Sequence, residues 1–258
     1  MISIAAADLD AWLSAFLYPF FRMLALMSSA PLFSHASVPV PARIWLALLL
    51  TVLVAPTLPA FAPVAPLSGS GVILIFQQLL VGVALGFAMQ LAFAAVELAG
   101  DMIGLQMGLS FAVFVDPQNS DQTPIVGSFL SMILMLVFVT INGHLLMLSA
   151  LVESFHAVPI AVGISAGGAH GEVWLRLAAA GAQLFASGLQ IAFPVIGAMM
   201  LANLALGVLT RTAPQLNLFA VGFPITVILG LIMLLLGMPH LMPVLEGTLQ
   251  MSLKLFTG

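Results

Sequence analysis

Residues 100–124 read GDMIGLQMGLSFAVFVDPQNSDQTP. Long apolar runs flank this stretch, yet it fits neither an ordinary loop nor a clean membrane helix. Gly100, Gly104 and Gly108 fall four residues apart in its first half. On a helix that spacing lines them along one face, leaving a ridge without side chains that another backbone can approach closely. Ser110, Phe111, Phe114 and Val115 then lead to Asp116-Pro117, where the proline disfavours helix at the residue before it. Gln118 to Pro124 is polar and turn-rich. An apolar segment with Met and Phe side chains, glycine hinges and a closing turn is costly to expose to water.

Composition decides what surrounds it. Of 258 residues, 62% are hydrophobic and 5% charged, whereas a soluble domain carries roughly a quarter charged residues. Too little charge remains to cover a water-facing surface, so the chain is a membrane-system protein. A net charge of −4 with five Lys and Arg argues against nucleic acid as a partner. The absence of cysteine excludes disulfides, thiol catalysis and Cys-based zinc sites. Residues 1–10 hold Asp8 and Asp10 but no Lys or Arg, so the basic start of a cleavable signal peptide is missing.

The apolar runs predict an all-α fold of about six long, partly broken helices and hairpins in one domain. Trp12 to Phe33 is long enough to cross a hydrocarbon core of about 30 Å, with Arg22 near its middle. A charge there costs about 3 kcal/mol on insertion scales and should face protein or water. Ile44 to Ala55 follows, ended by Pro56, Pro59, Pro63 and Pro66, which with residues 68–71 read as an extended connector. Val72 to Gly100 carries the GxxxG pair Gly82/Gly86, and Ile125 to Leu151 contains Asn142-Gly143-His144. Residues 157–172 form a Gly-rich connector. Val173 to Leu209 is too long for one straight span, predicting a kink at Pro194 or a break near Asn203. Leu216 to Met238 is the last run, with amphipathic residues to Lys254 behind it. The five basic residues, among them Arg211, do not set an orientation by loop charge. Either the topology signal is weak, or some helices are not bilayer spans and turn polar residues toward neighbouring subunits.

Few residues suggest chemistry. Glu153 and His156 form one Glu-x-x-His pair with His144 upstream, but di-iron bundles need that pair twice plus two further glutamates. A hydrogen-bonded structural histidine is the better reading, and no metal or cofactor is expected. No GxSxG elbow and no P-loop is present, so nothing points to an enzyme. Arg22, Gln77, Gln78, Gln90, Glu97, Asp101, Gln183, Gln190 and Asn203 lie within apolar runs. They read as interhelical hydrogen bonding rather than an ion relay, because only Glu97 and Asp101 are acidic and no charged ladder continues past them. That pair would fix the base of the central segment. Gly82/Gly86 reads as helix packing, whereas Gly100/Gly104/Gly108 runs directly into a broken aromatic stretch and reads as a hinge.

LQMGLSFAVFVDP, with FAMQLAFAAVELAGDMIG before it, resembles the FliR family of flagellar type III export-gate proteins. The similarity continues in order through PFFRMLALMSSAPLFS, INGHLLMLSALVESFHAVPI and LALGVLTRTAPQLNLFAVGFP, nearly the whole chain. The resemblance implies a pore-forming subunit of the bacterial inner membrane, raised in part toward the periplasm. Its implied partners are FliP, FliQ, FlhB and FlhA, membrane lipid, and the unfolded flagellar substrates passing through. It implies a FliP-like portion up to about residue 195 and a FliQ-like helical hairpin beyond. It also implies a plug loop over Gln106, Met107, Gly108, Leu109, Ser110, Phe111, Ala112, Val113, Phe114, Val115, Asp116 and Pro117. Two competing identities are the virulence-type homologue of the same gate and a secondary transporter of a small solute. A transporter predicts two similar inverted halves, and residues 1–125 and 126–258 show no such likeness.

Overall fold

Apolar runs of this length can satisfy their main chain away from water only by pairing every N–H and C=O internally, which a helix does. The computed structural model describes residues 6–59, 61–109, 124–161, 169–212 and 222–254, and no strand occurs among them. In order the helices are α1 (Ala6–Ser29), α2 (Pro31–Ser34), α3 (Val40–Val54), α4 (Gly69–Met107), α5 (Ile125–Thr140), α6 (Gly143–Ala157), α7 (Ala169–Thr212) and α8 (Phe223–Lys254). By length and composition, Asp10–Ser29, Val40–Thr57, Gly69–Met107 and Ala178–Thr212 can each cross a membrane. Helices α5 and α6 add a fifth if taken as one broken span.

Local chemistry sets most ends. Pro31 follows α1 and starts α2, and Pro41 sits in the first turn of α3, where a missing N–H is harmless. Arg43 closes the α2–α3 connection, its Nη2 donating to the carbonyls of Ser34, His35 and Val38. The run from Ile125 to Leu151 is not one helix. Asn142 takes a left-handed φ of 56°, and α5 and α6 meet at 70°. Asn-Gly is a turn signal that tolerates this conformation. Conversely, α7 continues through Pro194 and Asn203 for 44 residues, so the expected break near Asn203 is absent. The third run extends past Gly100 and Gly104 to Met107 without interruption. The last helix likewise passes Met238, Pro239 and Pro243.

The chain packs as two compact units, Met1–Leu91 with Asn142–Gly181 and Gln250–Gly258, and Ala92–Ile141 with Ala182–Leu249. The division near residue 195 implied by the family resemblance falls inside α7. In the first unit α1 packs on α3, where Thr51 Oγ1 donates to Met23 Sδ at 3.3 Å. Against α4 it fits at two glycines. A Cβ on Gly82 would meet the Arg22 carbonyl and lie 2.7 Å from the Ala25 Cβ; one on Gly86 would lie 2.7 Å from the Ser29 Cβ. Tyr18 is buried and donates to the Val64 carbonyl at 2.8 Å, tying the proline-rich connector to the core.

In the second unit, Ala95, Val96, Ala99 and Ile103 of α4 are buried with Leu130, Leu134 and Phe138 of α5. A Cβ on Gly100 would run into the main chain of Gly127 and lie 2.8 Å from the Val126 carbonyl carbon. Gly188 of α7 makes a similar approach, its Cβ position 2.8 Å from the Ala95 carbonyl oxygen. Small residues thus set how closely these helices approach α4.

Candidate functional site

Of the expected plug segment, Gln106, Met107, Gly108 and Leu109 are described; Ser110 to Pro117 lie outside the described residues. The described part is the end of α4. Gly108 has φ 81°, which only glycine adopts without strain. That turn lets the Leu109 N–H reach the Gly104 carbonyl and the Gly108 N–H reach the Leu105 carbonyl, both at 3.1 Å. Met107 is fully buried, with its side chain against Gly230 of α8. The Gln106 carbonyl accepts from Asn203 Nδ2 of α7 at 3.4 Å. Thr226 of α8, which the sequence did not single out, donates to the Met107 carbonyl at 3.0 Å.

Gly100 and Gly104 do not play equal parts. Gly100 is wedged against the α5 main chain, whereas a Cβ on Gly104 would find Val126 Cγ2 at an ordinary 3.7 Å. Both sit within one continuous helix, so neither interrupts it. Glu97 and Asp101 flank Gly127: a Cβ there would lie 3.1 Å from both the Glu97 carbonyl and Asp101 Oδ1. Asp101 Oδ1 is buried without a hydrogen-bond partner.

Arg22 is completely buried and faces protein. Its Nε donates to Gln78 Oε1 at 2.8 Å, Nη1 to the Ser154 carbonyl at 2.9 Å and hydroxyl at 3.1 Å, and Nη2 to the Val158 carbonyl at 2.8 Å. The guanidinium carbon lies 4.0 Å from the Phe155 ring centroid, a cation–π contact. These partners are neutral, and the two carbonyls belong to the end of α6, where the helix dipole is negative. In this turn the sequence points to Glu153 and His156. Both are exposed, while Ser154 and Phe155 between them hold the arginine. Helical spacing would have put Ser154 and Phe155 on the apolar face with Met147, Ala150 and Leu151.

The other singled-out residues are dispersed. Gln90 Nε2 donates to the Ser29 carbonyl at 2.7 Å. Asn142 makes the α5–α6 bend, with half-buried His144 just beyond it. Arg211 is exposed in the last turn of α7, where a cation suits the dipole. Gln77 is buried with both amide atoms unpartnered. Glu97, Gln183, Gln190 and Asn203 are exposed on otherwise apolar helices. No three His, Asp or Glu side chains converge as metal ligands among the described residues.

A family model described as bacterial export proteins, family 1, matches residues 13–252. The flagellar biosynthetic protein FliR of Pectobacterium carotovorum subsp. carotovorum is 45% identical over 247 residues, covering 95% of this chain and 92% of the relative. That of Escherichia coli (strain K12) is 43% identical over 248 residues, with the same two coverages. That of Bacillus subtilis (strain 168) is 32% identical over 240 residues, covering 93% of this chain and 92% of the relative.

Proposed function

This chain belongs to the bacterial export proteins, family 1, with the flagellar FliR proteins as relatives, and we propose that it is a pore-forming subunit of the flagellar export gate. Membership makes it a membrane component of the flagellar export apparatus. The finer reading is that it assembles with FliP- and FliQ-like subunits, contacts FlhA- and FlhB-like proteins, and lines a path for unfolded flagellar substrates. In it, residues up to about 195 stand in for a FliP-like subunit and the remainder for a FliQ-like hairpin. The assembly lies in the inner membrane, raised in part on the periplasmic side. Residues 106–117 seal the path when it is idle. The names of its relatives favour the flagellar branch over the virulence branch.

One observation carries the assembly. Glu97 on α4 and Gln183 and Gln190 on α7 point outward from helices that also expose Phe185, Leu189, Phe193, Leu201 and Leu204. Lipid would solvate the apolar side chains and leave the amides and carboxylate unpaired, at a cost of about 2–3 kcal/mol for a carboxylate. A neighbouring protein subunit can satisfy both kinds.

Co-expression tests this reading. Alone, the chain should aggregate or be degraded; with FliP- and FliQ-like partners it should copurify in a fixed ratio. A monomer that is stable in detergent and takes up neither partner would refute the assembly. Deleting residues 108–114 tests the seal: ion leakage through the reconstituted complex should rise while assembly persists.

A further inference from the structure

The last four carbonyls of a helix have no partner inside it. At the end of α4 all four are answered, in two different ways. Gly104 and Leu105 are taken locally by the Leu109 and Gly108 N–H groups, the paired bonds of a Schellman turn. The other two are taken from outside, Gln106 by Asn203 and Met107 by Thr226. A Schellman turn is usually braced by an apolar contact between the residue after the glycine and the one four before it in the helix. Here those residues are Leu109 and Gly104, and glycine has no side chain to offer. A further brace comes from α8, where Met107 lies on Gly230, one turn beyond Thr226.

We propose that Thr226 and Gly230 form a receptor that positions the end of α4, and so fixes the root from which the sealing segment departs. This rests on the seal assigned to residues 106–117. Thr226 is suited to a contact that holds and lets go. Its single hydroxyl proton has two acceptors in reach, the Met107 carbonyl at 3.0 Å and its own helix's Phe223 carbonyl at 2.9 Å. If the end of α4 leaves, the hydroxyl turns to Phe223 and no buried donor is orphaned. Gly230 supplies the space, since a Cβ there would come within 2.7 Å of Met107 Sδ.

The test uses the co-expressed complex with this chain carrying Thr226→Val, Thr226→Ser or Gly230→Ala. Valine keeps the shape and removes the proton; serine keeps the proton; the alanine leaves the hydrogen bond intact and fills the notch. Hydrogen exchange of the Gly108 and Leu109 amides should quicken in Thr226→Val by roughly threefold to tenfold, the equivalent of one net hydrogen bond. It should quicken in Gly230→Ala as well and return to the parental rate in Thr226→Ser. Ion leakage in liposomes should follow the same order. Unchanged exchange in both Thr226→Val and Gly230→Ala, with Gly108→Ala accelerating it as a control, would overturn the receptor. If exchange quickens but deleting residues 110–117 leaves leakage unchanged, the receptor stands and the seal reading fails.

Discussion

Arg22→Leu is the sharpest probe of the first packed unit. Leucine retains an apolar stem and removes every donor. The Ser154 hydroxyl would keep the Leu151 carbonyl at 2.6 Å, and the Ser154 carbonyl would keep the Val158 N–H at 2.9 Å. Gln78 Oε1 and the Val158 carbonyl have no such alternative among the described residues, so two buried acceptors would be orphaned at about 1–3 kcal/mol each. Loss of the stacking on Phe155 adds about 1–2 kcal/mol, and relief from burying a guanidinium offsets part of the total. A net loss of about 2–5 kcal/mol is a large share of the 5–15 kcal/mol that typically holds a domain together. It should lower Tm of the co-purified complex by roughly 5–15 °C. Arg22→Lys should recover little, because a point-like ammonium cannot span an amide, a hydroxyl and two carbonyls as a planar fork does. Thermal unfolding of the assembled complex, with proteolysis near α6 as a local readout, decides the matter. An Arg22→Leu complex melting within about 1 °C of the parent would show that the cluster holds nothing.

Three further outcomes are expected. Gly100→Ala should cost about 1–3 kcal/mol through overpacking on the α5 main chain, whereas Gly104→Ala should be neutral or stabilising by up to about 1 kcal/mol; paired melting curves check this. Gly108→Val forces a β-branched residue to φ 81°, which costs about 1–2 kcal/mol or more. By straining the turn that roots the sealing segment, it should raise ion leakage in liposomes and lower flagellar export in a secretion assay. His156→Gln should leave complex yield unchanged, because the side chain is exposed, and metal analysis of parent and variant should show no stoichiometric iron or zinc lost between them.

Helix positions were legible because hydropathy dictates them, and the places where the sequence misled share one cause. Proline and glycine mark where a helix can break, and the surroundings decide whether it does. Pro239 and Pro243 lie inside α8, beyond its expected end at Met238, and Gly100 serves close approach to Gly127, in both cases within continuous helix. At Asn142-Gly143 the same class of signal does break the run, because the left-handed conformation at Asn142 turns the chain by 70°. At the candidate site the spacing pointed to Gly100, but the expected ridge does not extend to Gly104, where a Cβ would find Val126 Cγ2 at an ordinary 3.7 Å. Thr226 and Gly230 were not readable, for they lie more than a hundred residues from Met107 and look like ordinary members of an apolar helix. Arg22 announced itself as a charge needing shelter, but its partners Ser154 and Val158 carried no signal, since two of its acceptors are main-chain carbonyls.

Helix length bears on the proposed assembly. Helix α4 has 39 residues, about 58 Å at 1.5 Å per residue. A hydrocarbon core of about 30 Å accommodates roughly 39 Å of straight helix even at a tilt of 40°. At least a third of α4 therefore lies beyond the hydrocarbon if the helix crosses it. That remainder is not made for water: α4 exposes Val72, Ile73 and Phe76 near its start and Leu105 near its end. Helix α7, with 44 residues and Phe185, Leu201, Leu204 and Val208 exposed, poses the same difficulty more severely. In the proposed assembly a neighbouring subunit would cover this surplus. The exposed amides on these helices follow from that arrangement, as polar groups a bilayer would penalise and a subunit interface can pair.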